Sequence, residues 1–399
     1  MCSRCGLKHE AAKVQTVCVN CTGTLFAQYD LEGVKNSLRK DELPKRPPSM
    51  WKYLEVLPVQ RQQNIVSLGE GFTPIIRIKS LSHKYGLKNL LLKDDGLMPT
   101  GSFKARGMSS AISKLKELGV TKVALASAGN AAGAAAAYSA RAGIEAHIFV
   151  PRDAPEINKK ECSQMGAHVY LVDGLISDAA KIVSLNCEKR GWFNLSTLRE
   201  PYRVEGKKTM GYEIAEQSDW ELPDVIIYPT GGGTGLVGMW KAFDELQKLG
   251  WTKPEKPRMV CVQSEGCDPV VLAYESRRES VEPFLSAHTA ASGLCVPYPY
   301  ASEQILRVIR QSGGTAVAVS DEEIIESMNQ LHREGLFVCP EGAATLSGLL
   351  KLLDTGWLDK NEKILLYNTG SGLKYPHLMT TRSFPLLPKD TKEIDLKTK

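Results

Sequence analysis

The sequence predicts an α/β protein, built from two parallel-sheet α/β domains and preceded by a small cysteine ribbon. Three observations carry this expectation. Short apolar runs alternate with helical patterns through most of the chain, the alternation comes in two series, and two Cys-x2-Cys pairs open the sequence. Strands separated by helices are the mark of βαβ units, and 399 residues exceed what one core usually covers.

The first element is the ribbon. Cys2-x2-Cys5 is followed, after twelve residues, by Cys18-x2-Cys21. A Cys-x2-Cys turn points two thiolates at one ion, so two such turns can close a tetrahedral zinc site, structural and not catalytic. Residues 40–50 form a charged, Pro-rich connection and the first boundary. A strand at 122–127 is followed by an Ala-rich helix at 131–142 that Gly143 ends. Strands at 145–150, 168–172 and 192–195 alternate with helices at 157–165 and 176–190. The second series has strands at 224–228, 258–263 and 363–367, with helices at 236–249 and 321–334. A polar tail follows Pro388.

Composition excludes several classes. Apolar residues make up 43% and charged residues 24%, the values of an ordinary folded chain, so a disordered or collagen-like protein is ruled out. No apolar run reaches the ~20 residues of a membrane helix, and the N-terminus carries no secretory h-region. A net charge of +5 without a clustered basic face argues against nucleic acid. The six remaining cysteines are scattered singly, which fits a reducing cytoplasm.

Four segments can carry chemistry. Pro229-Thr-Gly-Gly-Gly-Thr-Gly235 joins a strand to a helix; its glycines let backbone N–H groups converge on an anion at a helix N-terminus. The same stretch contains Gly233-x-Gly235-x-x-Gly238, with Glu265 beyond the next strand, so a nicotinamide dehydrogenase competes on this segment alone. Ser102-Phe-Lys104-Ala-Arg106 precedes a helix at 108–118; a lysine there feels a dipole that disfavours its charge, and neutral amines serve imine chemistry. Ser127-Ala-Gly-Asn130 lies at a strand's carboxyl end, where open sheets bind ligands, although Asn130 would equally serve as a helix cap. Thr369 follows the last core strand, with a hydroxyl placed either to meet a ring nitrogen or to cap a turn.

Together these segments resemble the fold-type II pyridoxal-phosphate enzymes, of tryptophan synthase beta-like architecture, from about Ser67 to Pro376. The resemblance implies that Lys104 carries the cofactor covalently, that Asn130 meets its ring hydroxyl, and that Gly231, Gly232, Gly233, Thr234 and Gly235 cradle its phosphate. Thr369 would face the pyridine nitrogen, and the backbone at Ser127 would meet the substrate carboxylate. Within the family, Ser67-Leu-Gly-Glu-Gly-Phe-Thr-Pro74, Pro201-Tyr-Arg-Val-Glu-Gly-Lys-Lys-Thr209 and Gly370-Ser-Gly-Leu-Lys374 are most similar to threonine synthases, and Arg203 would bind the substrate's phosphate. Two features depart from those enzymes: the loop 231–235 lacks the Asn residues common in them and is more similar to the Gly-only loop of dehydratases, and Ala131 stands where many have a hydroxyl residue.

The expected division is a ribbon at 1–30, a large cofactor domain at 31–104 and 205–387, a small α/β domain at 105–204 and a flexible tail at 388–399. The expected protein is a cytoplasmic homodimer acting on a small amino-acid substrate. It would convert O-phosphohomoserine and water to threonine and phosphate. The competing activities are a threonine or serine ammonia-lyase and a synthase of the cysteate synthase kind.

Overall fold

The computed structural model describes residues 1–152, 154–379, 384–391, 393 and 394. Its elements in chain order are α1 (Leu31–Ser37), β1 (Ile75–Arg77), α2 (Ser80–Tyr85), β2 (Asn89–Asp94), α3 (Lys104–Glu117), β3 (Lys122–Ala126), α4 (Asn130–Ala142), β4 (Glu145–Pro151), α5 (Glu156–Gln164), β5 (His168–Val172) and α6 (Ile176–Arg190). They continue with β6 (Phe193–Asn194), α7 (Tyr202–Gln217), β7 (Val225–Pro229), α8 (Thr234–Lys248), β8 (Arg258–Ser264), α9 (Pro269–Glu275), α10 (Ser302–Gln311), β9 (Thr315–Val319), α11 (Asp321–Arg333), α12 (Pro340–Asp354) and β10 (Lys363–Asn368).

The strands form two sheets among the described residues, ordered β1-β2-β10-β7-β8-β9 and β5-β4-β3-β6. All pairings are parallel except that of β1 with β2. The expected parallel α/β architecture is therefore present. Strands β7, β8 and β10 show why a parallel sheet reads as an apolar run and not as an alternation. Ile226, Tyr228, Met259, Cys261, Leu365 and Tyr367 pack on one face, toward α7 and α8; Val225, Ile227, Val260, Val262, Ile364 and Leu366 pack on the other, toward α11 and α12. Both faces are covered, so no polar position interrupts the strand.

Several elements differ from the sequence expectations. Helix α3 begins at Lys104, four residues before the expected start, and α4 begins at Asn130 with Gly129 in the capping position and no side-chain cap. The segment around Arg203 is the first turn of a sixteen-residue helix, α7. Its Pro201 and two internal glycines conceal the pattern, and Gly206 and Gly211 are small because α3 and α8 approach there. A Cβ on Gly206 would strike the Arg106 carbonyl, and one on Gly211 would lie 2.6 Å from Ala242 Cβ. The close contact of α7 with both helices overrides its glycine propensity. Of the expected tail, residues 392 and 395–399 lie outside the described residues.

The topology fixes where a site can form. Chain segments leaving the carboxyl ends of β2, β10 and β7, three adjacent strands, bring Lys104, Thr369 and the Gly231–Gly235 loop together. In the other sheet, Ser127–Asn130 follows β3, and the segment leading to Arg203 follows its neighbour β6. Open α/β sheets bind ligands at such carboxyl-end crevices.

Candidate active site

The glycine loop has the form its sequence demands. Gly233 takes a left-handed φ of 73° as it enters α8, a conformation that costs other residues energy. Neighbours occupy the space a side chain would need: a Cβ on Gly231 would strike the Gly293 carbonyl, one on Gly232 would lie 2.9 Å from Thr197 Cγ2, and those on Gly233 and Gly235 would meet Ile305 and Tyr228. The N–H groups of Gly231 through Gly235 donate to no backbone carbonyl among the described residues. Bare donors at a helix N-terminus make an anion cradle. The dinucleotide reading loses its geometry here. Gly238 packs against the backbone of Lys207, and Glu265 is paired with Lys351 at 3.0 Å.

Lys104 is the first residue of α3 and is half-buried. Its backbone start is held firmly: the Phe103 N–H donates to the Thr369 carbonyl at 2.9 Å, and Ser102 bridges to Gly370. Two residues on, Arg106 points the other way, into the core. It meets Asp95 at 2.8 Å and Glu213 at 2.5 Å, and Lys93 joins Glu213 at 2.9 Å. Removing one partner of such a buried network costs on the order of 3–5 kcal/mol, so this anchor locks the helix turn that presents Lys104. Burial, reinforced by the nearby Arg203 charge, pushes the Lys104 amine down to about 8, while Glu341 and Cys339 oppose the shift. A neutral amine becomes accessible near physiological pH.

Arg203 is buried near the start of α7. Its Nη1 donates to the Leu195 carbonyl at 2.6 Å and to Thr197 Oγ1 at 3.3 Å, while its Nε has no partner among the described residues. Glu200 accepts from the Tyr202 and Arg203 N–H groups at 2.7 and 3.0 Å. Burial pushes its carboxyl up to about 7, against the pull of Arg203.

Thr369 is buried, with its hydroxyl 3.7 Å from Cys339 Sγ at the start of α12. The Ser127 hydroxyl accepts from the Gly129 N–H at 3.3 Å and shapes its turn, and Asn130 opens α4 directly after it. The remaining lining was not singled out in the sequence. Glu341 accepts from Gly293 N–H at 2.7 Å and Tyr375 Oη at 2.6 Å, leaving its other oxygen without a partner among the described residues. Pro340 at a helix start and Gly356 beyond its end were the available signals for α12. Ser102 Oγ and Tyr228 Oη are likewise buried without partners among the described residues. Buried polar atoms left without partners cost energy unless something else satisfies them.

In the ribbon, the Sγ atoms of Cys2, Cys5, Cys18 and Cys21 all lie within 4.8 Å of one another. The ribbon packs on the segment before α7: Thr24 Oγ1 donates to the Leu198 carbonyl at 3.0 Å, and the Gln15 N–H donates to Tyr202 Oη at 3.2 Å.

An anion cradle of bare amides, a lysine with a depressed amine and a hydroxyl at a neighbouring strand end are the features the fold assembles at the carboxyl ends of adjacent strands. The model of one family, the pyridoxal-phosphate dependent enzymes, matches residues 66–370, and the chain belongs to that family. It is 37% identical to a threonine synthase of Methanocaldococcus jannaschii and 38% identical to one of Methanosarcina acetivorans; both alignments cover 94% of this chain and 92% of the relative. A Mycobacterium bovis threonine synthase is 35% identical over 81% of this chain and 88% of its own length. Among solved structures, a maize serine racemase has a TM-score of 0.65 at 25% identity, covering 75% of this chain and 88% of that one. A diaminopropionate ammonia lyase from Escherichia coli superposes with a TM-score of 0.69 at 16% identity, covering 79% of this chain and 89% of that one, a likeness of fold.

Proposed function

We propose that this protein is a lyase of the threonine synthase kind, converting O-phosphohomoserine and water to threonine and phosphate. The observation that supports it most is the pairing of Lys104 with Arg203. The Arg203 charge helps depress the Lys104 amine, and Arg203, its Nε without a partner among the described residues, bonds Thr197, which packs against Gly232 of the phosphate cradle; relatives that align over nearly the whole chain are named threonine synthase.

Lys104 would bear pyridoxal phosphate, Gly231–Gly235 its phosphate, Asn130 its ring hydroxyl and Thr369 its ring nitrogen. The cofactor, when bound, supplies an electron sink for charge developed next to the substrate's amino-bearing carbon. With the substrate bound, Lys104 would act as the neutral base that takes protons in turn from Cα and Cβ. Phosphate then leaves from Cγ, protons return to Cγ and Cα, and water adds at Cβ. A neutral hydroxyl at Thr369 would leave the ring nitrogen without an enforced proton. The Arg203 Nε can donate to the departing phosphate, a charge-assisted bond. The backbone of Ser127–Asn130 would hold the substrate carboxylate.

Around this chemistry we propose a structural zinc held by Cys2, Cys5, Cys18 and Cys21, since four thiolates this close suit a tetrahedral ion. The two domains would be 31–104 with 205–387, which contain the six-stranded sheet, and 105–204, which contain the four-stranded one. A homodimer is the proposed assembly. No helix among the described residues is long and apolar enough to cross a membrane.

Borohydride trapping with peptide mapping tests the central assignment. The reduced cofactor should map to Lys104, and Lys104→Ala should lose both the adduct and the near-violet absorption. An adduct on another lysine would overturn it, and deamination of threonine or serine without turnover of O-phosphohomoserine would overturn the substrate.

A further inference from the structure

Lys207, like Arg203, differs from most buried cations of the core. Lys93, Arg106 and Lys208 each meet a carboxylate within 2.9 Å. Lys207 is equally buried but makes no carboxylate pair among the described residues. Its Nζ donates to the carbonyl of Phe103, the residue preceding Lys104, and lies 3.7 Å from the centre of the Phe103 ring. The Lys104 Nζ lies over that same ring at 4.2 Å.

Glycines make this reach possible. A Cβ on Gly107, one turn after Lys104 on α3, would lie 3.2 Å from Lys207 Cε and 3.4 Å from Arg203 Cβ. A Cβ on Gly238 of α8 would lie 2.9 Å from Lys207 Cβ. Lys207 therefore threads between α3 and α8 to the peptide bond from which the Lys104 residue begins. Packing alone would be served by an apolar side chain, since a buried amine without an acid partner is costly. What the amine adds is a donor.

We propose that Lys207 is a positioning residue for Lys104: by holding the Phe103 carbonyl it fixes the backbone that carries the reactive amine. Phe103 is then clamped on both sides, its N–H by the Thr369 carbonyl and its carbonyl by Lys207. The inference rests on the reading of Lys104 as the cofactor-bearing residue. Burial, with Lys104, Arg203 and Arg106 nearby and only Asp95 opposing, drives the Lys207 amine toward its neutral form. A neutral donor orients the peptide without placing another fixed charge beside Lys104, which already faces Arg203 from α7 and Glu341 and Cys339 from the start of α12.

The test uses the holoenzyme and its Lys207→Met, Lys207→Gln and Lys207→Arg variants, with thermal melting as a folding control. Lys207→Met should lower kcat roughly 10- to 100-fold with KM changed less than about threefold, because a misplaced base costs rate and not substrate affinity. It should also alter the visible circular dichroism of the bound cofactor. Lys207→Gln, a neutral donor, should recover kcat to within about fivefold. In the cofactor-stripped chain, the pH midpoint for acylation of Lys104 should fall in Lys207→Arg, which adds a fixed charge, and stay put in Lys207→Met. Wild-type kcat and dichroism in Lys207→Met would overturn the proposal, as would equal losses in Met and Gln variants, which would mark packing alone. Mapping the borohydride adduct separates the two readings. An adduct away from Lys104 sinks both, whereas an adduct on Lys104 with indistinguishable variants sinks only the positioning role.

Discussion

Lys374 Nζ lies 2.6 Å from Glu161 Oε2, joining the segment after β10 of the large sheet to α5 beside the small one. Both side chains are largely shielded, at 14% and 12% exposure, so the pair is stronger than an exposed bridge would be. Gly133 of α4 makes room for it, because a Cβ there would collide with the Glu161 carboxylate. Lys374 also packs against Gly101, three residues before Lys104.

Lys374→Met should therefore loosen closure without touching the chemistry. KM for the amino-acid substrate is expected to rise roughly 3- to 10-fold with kcat nearly unchanged, and limited proteolysis should speed up. Steady-state kinetics of Lys374→Met and Glu161→Gln check this. A fall in kcat at unchanged KM would show that the pair acts on the reacting groups instead.

Glu200 gives a pH-dependent stability. Its carboxyl is raised by burial from 4.5 to about 7. Between those values the folded chain keeps a proton that the unfolded chain has released, so this residue weakens stability as pH rises through that window. Glu200→Gln keeps an acceptor for the Tyr202 and Arg203 N–H groups and removes the titration. It should be more stable than wild type by on the order of 2–3 kcal/mol at pH 8, the difference vanishing below about pH 4.5. Urea unfolding at both pH values checks this, and an equal difference at each would sink it.

The ribbon should support the site without taking part in it. Thr24 and Gln15 brace Leu198 and Tyr202, just before Arg203. Deleting residues 1–25 should keep cofactor absorption and measurable turnover while raising KM for the phosphorylated substrate several-fold. Metal analysis of the intact chain should return one zinc, lost on chelation or in Cys18→Ser. Complete loss of turnover, with the cofactor bound and the core folded, would place the ribbon in the chemistry.

How legible all this was depended on the kind of signal. The strands are buried on both faces at 123–125 and 225–229, where they read as apolar runs. Helices ending at Gly143 and Gly191 announce themselves through left-handed caps. The cradle glycines were legible because three consecutive glycines have few other uses. Helix α7 was not, since its glycines answer to α3 and α8, neighbours that are distant in sequence. Glu341 and Lys207 were hidden for a related reason: a charged residue in a sequence looks solvated, and only the fold reveals that it is buried.

The last prediction concerns Arg203, whose Nη1 is occupied by Leu195 and Thr197 while its Nε remains unpartnered among the described residues. Its charge is held in a buried setting where desolvation already lowers its pKa, so an incoming phosphate dianion would be gripped more strongly than in water. Arg203→Ala should lower kcat/KM for O-phosphohomoserine roughly 30- to 1000-fold, equivalent to about 2–4 kcal/mol. Arg203→Lys should recover little, because an ammonium reproduces neither the Leu195 and Thr197 bonds nor the fork geometry. Any side deamination of threonine or serine should be spared, since no phosphate is present to be gripped. The assay runs all three proteins on phosphorylated and unphosphorylated substrates, with cofactor occupancy equalised. Equal losses on both would show that Arg203 merely holds the start of α7 in place.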